Sequence, residues 1–225
     1  MADHLLRLAR CVPAGLTWYA LAASPLAGQV GYAPEKSPFR DIRKGHTITA
    51  VAGYFGGSGG RFAVGPHNGT VFGGRYDIRT GGTIQLGLGV SYGTFERAIV
   101  DSFVSLTEPR FSSVGQSVTL ADLTVQFNLT GGKSWHRLAP FVGASVGIAF
   151  AGETQSDTTR YGFGNEFYLA PAAGFRFFLN DRIHLKSEIR AIFWKLDYPA
   201  IDRTDFSEWL LSPWIQVGLG YSFSP

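Results

Sequence analysis

From Leu211 to Phe223 the chain alternates without a break. Leu211, Pro213, Ile215, Val217, Leu219, Tyr221 and Phe223 form one set, and Gln216, Gly218, Gly220 and Ser222 belong to the other. A period of two places one set on each face of a strand. Eight such runs can be traced. Ile84, Leu86, Leu88, Val90 and Tyr92 oppose Gln85, Gly87, Gly89, Ser91 and Gly93; Ala121 to Leu129 alternate against Asp122, Thr124, Gln126 and Asn128; and Val142 to Phe150 alternate against Gly143, Ser145 and Gly147. Phe167 to Phe177 face away from Glu166, Tyr168, Ala172, Gly174 and Arg176, while Leu185, Ile189, Ala191 and Phe193 oppose His184, Lys186, Glu188 and Arg190. Two weaker, Gly-rich runs lie near Thr47 to Phe55 and Gly69 to Asp77. The strong runs extend for about 10 residues or more, which suits a tilted membrane strand better than the ~5–6 of an average soluble one.

The connections alternate as well. Gly56 to Asn68, Phe95 to Ser117, Ala151 to Gly164 and Lys195 to Glu208 read as long polar loops; Ile78 to Gly82, Thr130 to Arg137 and Asn180 to Arg182 read as short turns. Long and short connections in turn predict an all-β fold, an eight-stranded antiparallel up-and-down transmembrane β-barrel with loops outside and turns in the periplasm. Unpaired backbone is intolerable in lipid, so such a sheet has to close on itself. The same alternation would serve a soluble lipocalin-like barrel with its apolar face inward. Lipid outside is favoured because the opposite face holds Gly, Ser, Gln and charges, and because aromatics (Tyr92, Phe127, Phe150, Phe167, Phe177, Phe193, Tyr221, Phe223) gather near strand ends, where interfacial girdles sit.

Composition agrees with a β-rich, turn-rich chain: 29 Gly, 18 Phe and 9 Tyr among 225 residues, with 16% charged. Met1 to Arg10 is basic, Cys11 to Leu26 is mostly apolar and small with Pro13 and Gly15 inside it, and small residues follow, so residues 1–27 read as a secretory signal peptide. Residues 28–45, with Lys36, Arg40, Arg43 and Lys44, read as a solvated periplasmic lead-in, and residues 46–225 as the barrel domain. Cys11 is the single cysteine, so the chain after the signal would have no disulfide or thiolate chemistry. Loss of Arg7, Arg10 and Asp3 with the signal takes the formal net charge from +3 to about +2, with no basic stripe to suggest nucleic acid.

Gln216 to Phe223 is similar to the C-terminal strand signal of bacterial outer-membrane β-barrel proteins: polar Gln216, Gly218 two residues later, then Tyr221 and Phe223. Ser224 and Pro225 follow the aromatic on which that family normally ends. The whole chain after the signal resembles a small OmpA/OmpX-type barrel. The resemblance implies an outer-membrane protein in contact with lipid, inserted by the barrel-assembly machinery through Gln216, Gly218, Tyr221 and Phe223, monomeric, and non-enzymatic with a plugged interior. Its role would be structural or in surface interaction, through loops such as 95–117 and the acidic 195–208. A small-solute channel is the alternative within the same class.

Few residues point to chemistry. The inward charges Glu166, Arg176, Lys186, Glu188 and Arg190 are expected to pair across strands as an internal network, since a lone buried charge is very costly. His184 lies near Ser187, but in lipid A deacylase barrels the active His and Ser are two apart on one face; here position 186 is Lys and Ser187 takes the other face, so no catalytic residue is assigned. Gly56 to Gly60 lacks the Lys-Ser/Thr of a phosphate loop, and His46, His67, His136 and His184 have no ligand spacing. No cofactor or metal is expected.

Overall fold

The computed structural model describes residues 36–100, 110–152, 163–201 and 204–224. The expected signal and the first residues of the lead-in lie outside them. Among the described residues there are ten strands: β1 (Phe39–Asp41), β2 (His46–Phe55), β3 (His67–Arg79), β4 (Ile84–Val100), β5 (Arg110–Asn128), β6 (Lys133–Trp135), β7 (Leu138–Ala151), β8 (Asn165–Phe178), β9 (Ile183–Ile201) and β10 (Thr204–Phe223). Eight of them form the barrel. Each pairs antiparallel with its sequence neighbour, β10 pairs with β2 along Trp214–Phe223 and His46–Phe55, and no edge is left open. No described helix is long and apolar enough to cross a membrane.

Facing follows the alternation. Ile48, Phe72, Leu88, Leu123, Val146, Ile189 and Val217 are exposed on the outside, while Gln85, Asp122, Gln126, Glu188 and Arg190 are buried within. The apolar face therefore lies outside, which removes the soluble, lipocalin-like arrangement. On β10 the exposed apolar set runs from Trp209 to Tyr221. At ~3.3 Å per residue and a ~45° tilt this covers about 28 Å, close to the ~25 Å apolar band of an outer-membrane barrel. Val217, 60% exposed, sits inside that band. Val217→Arg is expected to cost about 2–4 kcal/mol of stability, read from urea unfolding in lipid vesicles; an unchanged midpoint would mean that β10 turns its other face to lipid.

Two of the four long loops expected from the sequence are largely strand. β4 and β5 stay in register through Phe95↔Gln116, Glu96↔Gly115 and Arg97↔Val114, and β9 and β10 through Lys195↔Trp209 and Asp197↔Ser207. The apolar alternation stops near Tyr92 and Phe193 because strand beyond the lipid no longer needs an apolar outer face, although the backbone ladder continues. Asp202, one of the acidic residues assigned to the 195–208 loop, lies outside the described residues.

At the turn end, Thr130 to Arg137 is more than a turn. It holds β6, which folds onto β7 through His136 and Arg137, both at positive φ (48° and 68°), the geometry of a tight hairpin reversal. β1 then pairs with β6, from Phe39↔Trp135 to Asp41↔Lys133. Residues 38–45 are fixed at both ends. The His136 amide donates to Pro38 O (2.9 Å) and the Ile42 amide to Gly132 O (2.9 Å); the Arg79 amide donates to Gly45 O (2.8 Å), and its guanidinium to Ile42 O.

Candidate functional site

The barrel interior has two tiers. Near the turn end the inward positions of β3, β5, β8 and β9 carry charge, and these charges converge. Asp122 on β5 lies at the centre: Arg75 Nη1 donates to one of its carboxylate oxygens at 3.2 Å and Arg190 Nη1 to the other at 3.0 Å. Thr124 Oγ1 donates to Asp122 (2.8 Å) and accepts from Arg75 Nη2 (2.7 Å); Tyr168 OH is 3.4 Å from the same carboxylate. Glu188 on β9 accepts from Arg190 Nε and lies 2.6 Å from Lys186 Nζ, an ion pair off the direction of a hydrogen bond. Arg75 also lies 3.9 Å from Asp77.

The sequence-derived residues divide accordingly. Lys186, Glu188 and Arg190 stand together in this cluster. Arg176 is buried in the same tier but its guanidinium donates to Asn128 Oδ1 (3.2 Å) and Gln126 Oε1 (2.7 Å), and both it and Lys186 lie 5.0 Å from the Phe141 ring. Glu166 is half-buried at the opposite end of β8 from Arg176, away from the other four. Sequence reasoning passed over Arg75, Asp77 and the central Asp122. Asp122 stands in a clear alternation, but only the fold places β5 where β3 and β9 can reach it. Arg75 and Asp77 sit in a weak Gly-rich run.

Glycines on neighbouring strands make these large side chains possible. A Cβ on Gly147 would lie 2.4 Å from the Tyr168 ring, and one on Gly220 2.4 Å from the His184 ring. His184 is enclosed: its Nδ1 is 3.5 Å from Ser222 Oγ, which is 3.0 Å from Thr47 Oγ1. Ser187 belongs to the outward set. Among the described residues, neither amide atom of Gln216 nor Nε2 of Gln126 has a hydrogen-bond partner, so the tier has polar groups that water would serve.

Toward the loop end the inward face turns apolar. Phe55, Val71, Phe95, Val118, Leu120, Tyr168, Ile192, Trp194 and Trp214 form one buried cluster, with Phe163 packed edge-on to Trp194 at 5.1 Å. The loop between β2 and β3 folds into it. Val64 is fully buried, Phe62 packs on the cluster, and Ala63 O accepts from the Ala98 amide at 2.6 Å. Gly57, Gly59 and Gly60 at positive φ let this loop double back, and the Arg61 amide donates to Glu208 Oε1 (2.9 Å) to hold it. Above the cluster Arg97 Nε donates to Gln116 Oε1 at 2.7 Å.

The residues of the C-terminal signal occupy the end of β10. Gln216 faces inward and Tyr221 outward, with Arg182 Nη1 donating to its hydroxyl at 3.4 Å; Gly218 lies against Ala50 O and Phe223 stacks 5.6 Å from His46.

Among solved structures the chain is similar to the outer membrane protein OprG from Pseudomonas aeruginosa, at 13% identity and a TM-score of 0.55, covering 84% of this chain and 100% of that one. It is likewise similar to Neisserial surface protein A, NspA, at 13% identity and a TM-score of 0.50, covering 83% and 98%. The chain folds as a small outer-membrane β-barrel of the OmpA/OmpX type. No protein-family model matches the sequence, and no curated protein does. In an outer-membrane barrel the short turns and both termini of the sheet face the periplasm and the long loops the exterior. The charged tier of this barrel lies at its short-turn end and the apolar tier at its long-loop end.

Proposed function

We propose that this chain is a bacterial outer-membrane barrel with a closed interior, non-enzymatic, acting as a structural and surface-interaction element of the envelope. The observation that carries this reading is the apolar tier: Val64 of the first extracellular loop is fully buried in one cluster with Phe55, Trp194 and Leu196, above a lumen crossed by the Asp122–Arg190–Glu188 ion pairs. A lumen closed by packed aromatics at one level and paired charges at the next favours a plugged barrel over a solute path. The reading without catalysis is supported by His184, whose ring is enclosed beside Ser222 and Thr47. In the same reading the protein is a monomer surrounded by outer-membrane lipid, and Gln216, Gly218, Tyr221 and Phe223 are read by the barrel-assembly machinery. The projecting β4–β5 and β9–β10 ends and the loops they carry would meet extracellular partners.

Fractionation tests this. The protein should be recovered with the outer membrane and migrate faster before boiling than after, and in planar bilayers it should give no steady single-channel conductance. Phe223→Ser should reduce the folded, fast-migrating fraction in cells. Steady ion conductance would favour the solute-channel alternative, and normal insertion of Phe223→Ser would remove the assembly role of the C-terminal strand.

A further inference from the structure

The two ends of the barrel differ in charge. At the periplasmic foot the exposed or half-exposed side chains include Arg40, Arg43, Lys44, Lys133, Arg137 and Arg182, against Asp41 and Asp181. At the other end, among side chains whose exposure is described, the exposed or half-exposed Glu96, Glu166, Asp197 and Glu208 outnumber Arg61 and Lys195. The basic side chains are spread around the foot. Arg137 lies below β7, Arg182 between β8 and β9, and Lys44 immediately before β2. β2 and β7 are four strands apart in either direction round the barrel, and residues 38–45, carrying Arg40, Arg43 and Lys44, link their feet through the hydrogen bonds to Gly132 and Arg79.

Depth is fixed by the neighbours. Phe39 and Trp135, which face each other across the β1–β6 pair, are exposed, as are Phe177 and Tyr221. Such an aromatic level marks the boundary between acyl chains and headgroups. Arg182 reaches the Tyr221 hydroxyl, so at least one of the cations stands at that boundary. A cation there meets phosphodiesters at the end of the apolar band, where attraction to anionic lipid is strongest.

We propose that this foot is a binding surface for anionic phospholipid of the periplasmic leaflet, with Arg40, Arg43, Arg137 and Arg182 as its principal contacts. The inference rests on the membrane-barrel reading above. Separated cations spread over the foot, with Arg182 at headgroup depth, match the lipids around a barrel; a compact soluble anion would need convergent donors instead. Lys133 contributes less, because Asp41 lies 4.0 Å from its ammonium.

The test uses the full chain folded into phosphatidylcholine vesicles with trace spin-labelled phosphatidylglycerol or phosphatidylcholine. The measured quantity is the ratio of association constants of the two probes at the protein surface. The wild type should prefer phosphatidylglycerol by about fivefold for a site that engages one cation, and the preference should fade at high salt. The quadruple variant Arg40→Gln, Arg43→Gln, Arg137→Gln, Arg182→Gln should bring the ratio close to one, whereas Arg61→Gln with Lys195→Gln at the other end should leave it unchanged. A ratio near one in the wild type, or one that the quadruple variant does not move, overturns the proposal provided the same sample shows the heat-dependent mobility shift. Loss of binding to isolated peptidoglycan in the variant, with the lipid ratio intact, would also overturn it. Absence of the mobility shift would instead refute the underlying barrel reading.

Discussion

Asp122→Ala is expected to destabilise the barrel by about 3–5 kcal/mol, because it takes a shared anion from two buried guanidinium groups at once. Among the described residues the charged tier holds four cations, Arg75, Arg176, Lys186 and Arg190, and three anions, Asp77, Asp122 and Glu188. Asp122 is the anion that bridges strands: it binds Arg75 of β3 and Arg190 of β9 with opposite oxygens. Without it Arg190 keeps Glu188, and Arg75 keeps only Asp77 at 3.9 Å and Thr124. The cost belongs to the leftover charge more than to the lost bond, so Asp122→Leu combined with Arg75→Met should recover much of the stability lost by Asp122→Ala. Asp41→Asn is the contrasting case. Its pair with Lys133 spans 4.0 Å with the two side chains 65% and 57% exposed, and its removal should change stability by about 1 kcal/mol or less. Urea unfolding in vesicles, followed by the mobility shift, reads all three variants. A loss for Asp122→Ala no larger than that for Asp41→Asn would mean that water screens the lumen and that the ion pairs do not hold it together.

The outer face of this barrel is legible from sequence because lipid demands it. Every second residue from Ile84 to Tyr92, or from Leu211 to Tyr221, must be apolar wherever the strand crosses the acyl layer, and that demand writes itself as a period of two. Beyond the lipid it disappears, which is why Phe95 to Ser117 and Lys195 to Glu208 read as loops while the backbone of their described residues continues to pair, as far as Val100↔Arg110 and Ile201↔Thr204. The inner face obeys a different rule: it has to be filled and its charges satisfied, and both depend on which strands lie opposite one another. Lys186, Glu188 and Arg190 can be found on one strand, but Asp122 becomes their partner only through closure. Nor does period two distinguish an inward apolar residue in a disrupted alternation from an outward one. Large residues such as Tyr168, Ile192, Trp194 and Trp214 break the pattern of small and polar inward residues, and such breaks are the trace the apolar tier leaves in the sequence.

Trp194→Ala follows from that tier, with an expected loss of about 3–5 kcal/mol. The indole is fully buried, packed edge-on to Phe163 at 5.1 Å and tilted against Phe55 at 5.4 Å, and Phe55 meets Phe95 edge-on at 5.0 Å. Truncation would remove the neighbour shared by Phe55 of β2 and Phe163, just before β8, and leave a void that the closed, hydrogen-bonded wall cannot collapse to fill. Trp194→Phe should cost much less, because a ring of similar shape preserves those contacts and the indole nitrogen has no hydrogen-bond partner among the described residues to lose. Val64 is buried in the same cluster, so the loop between β2 and β3 should loosen as well, with faster proteolysis between Gly56 and Gly65 in folded protein. If Trp194→Ala unfolds at the wild-type urea concentration and the loop is cut no faster, the aromatics line a wet vestibule instead of a packed plug. The case for a closed lumen would then rest on the charged tier alone.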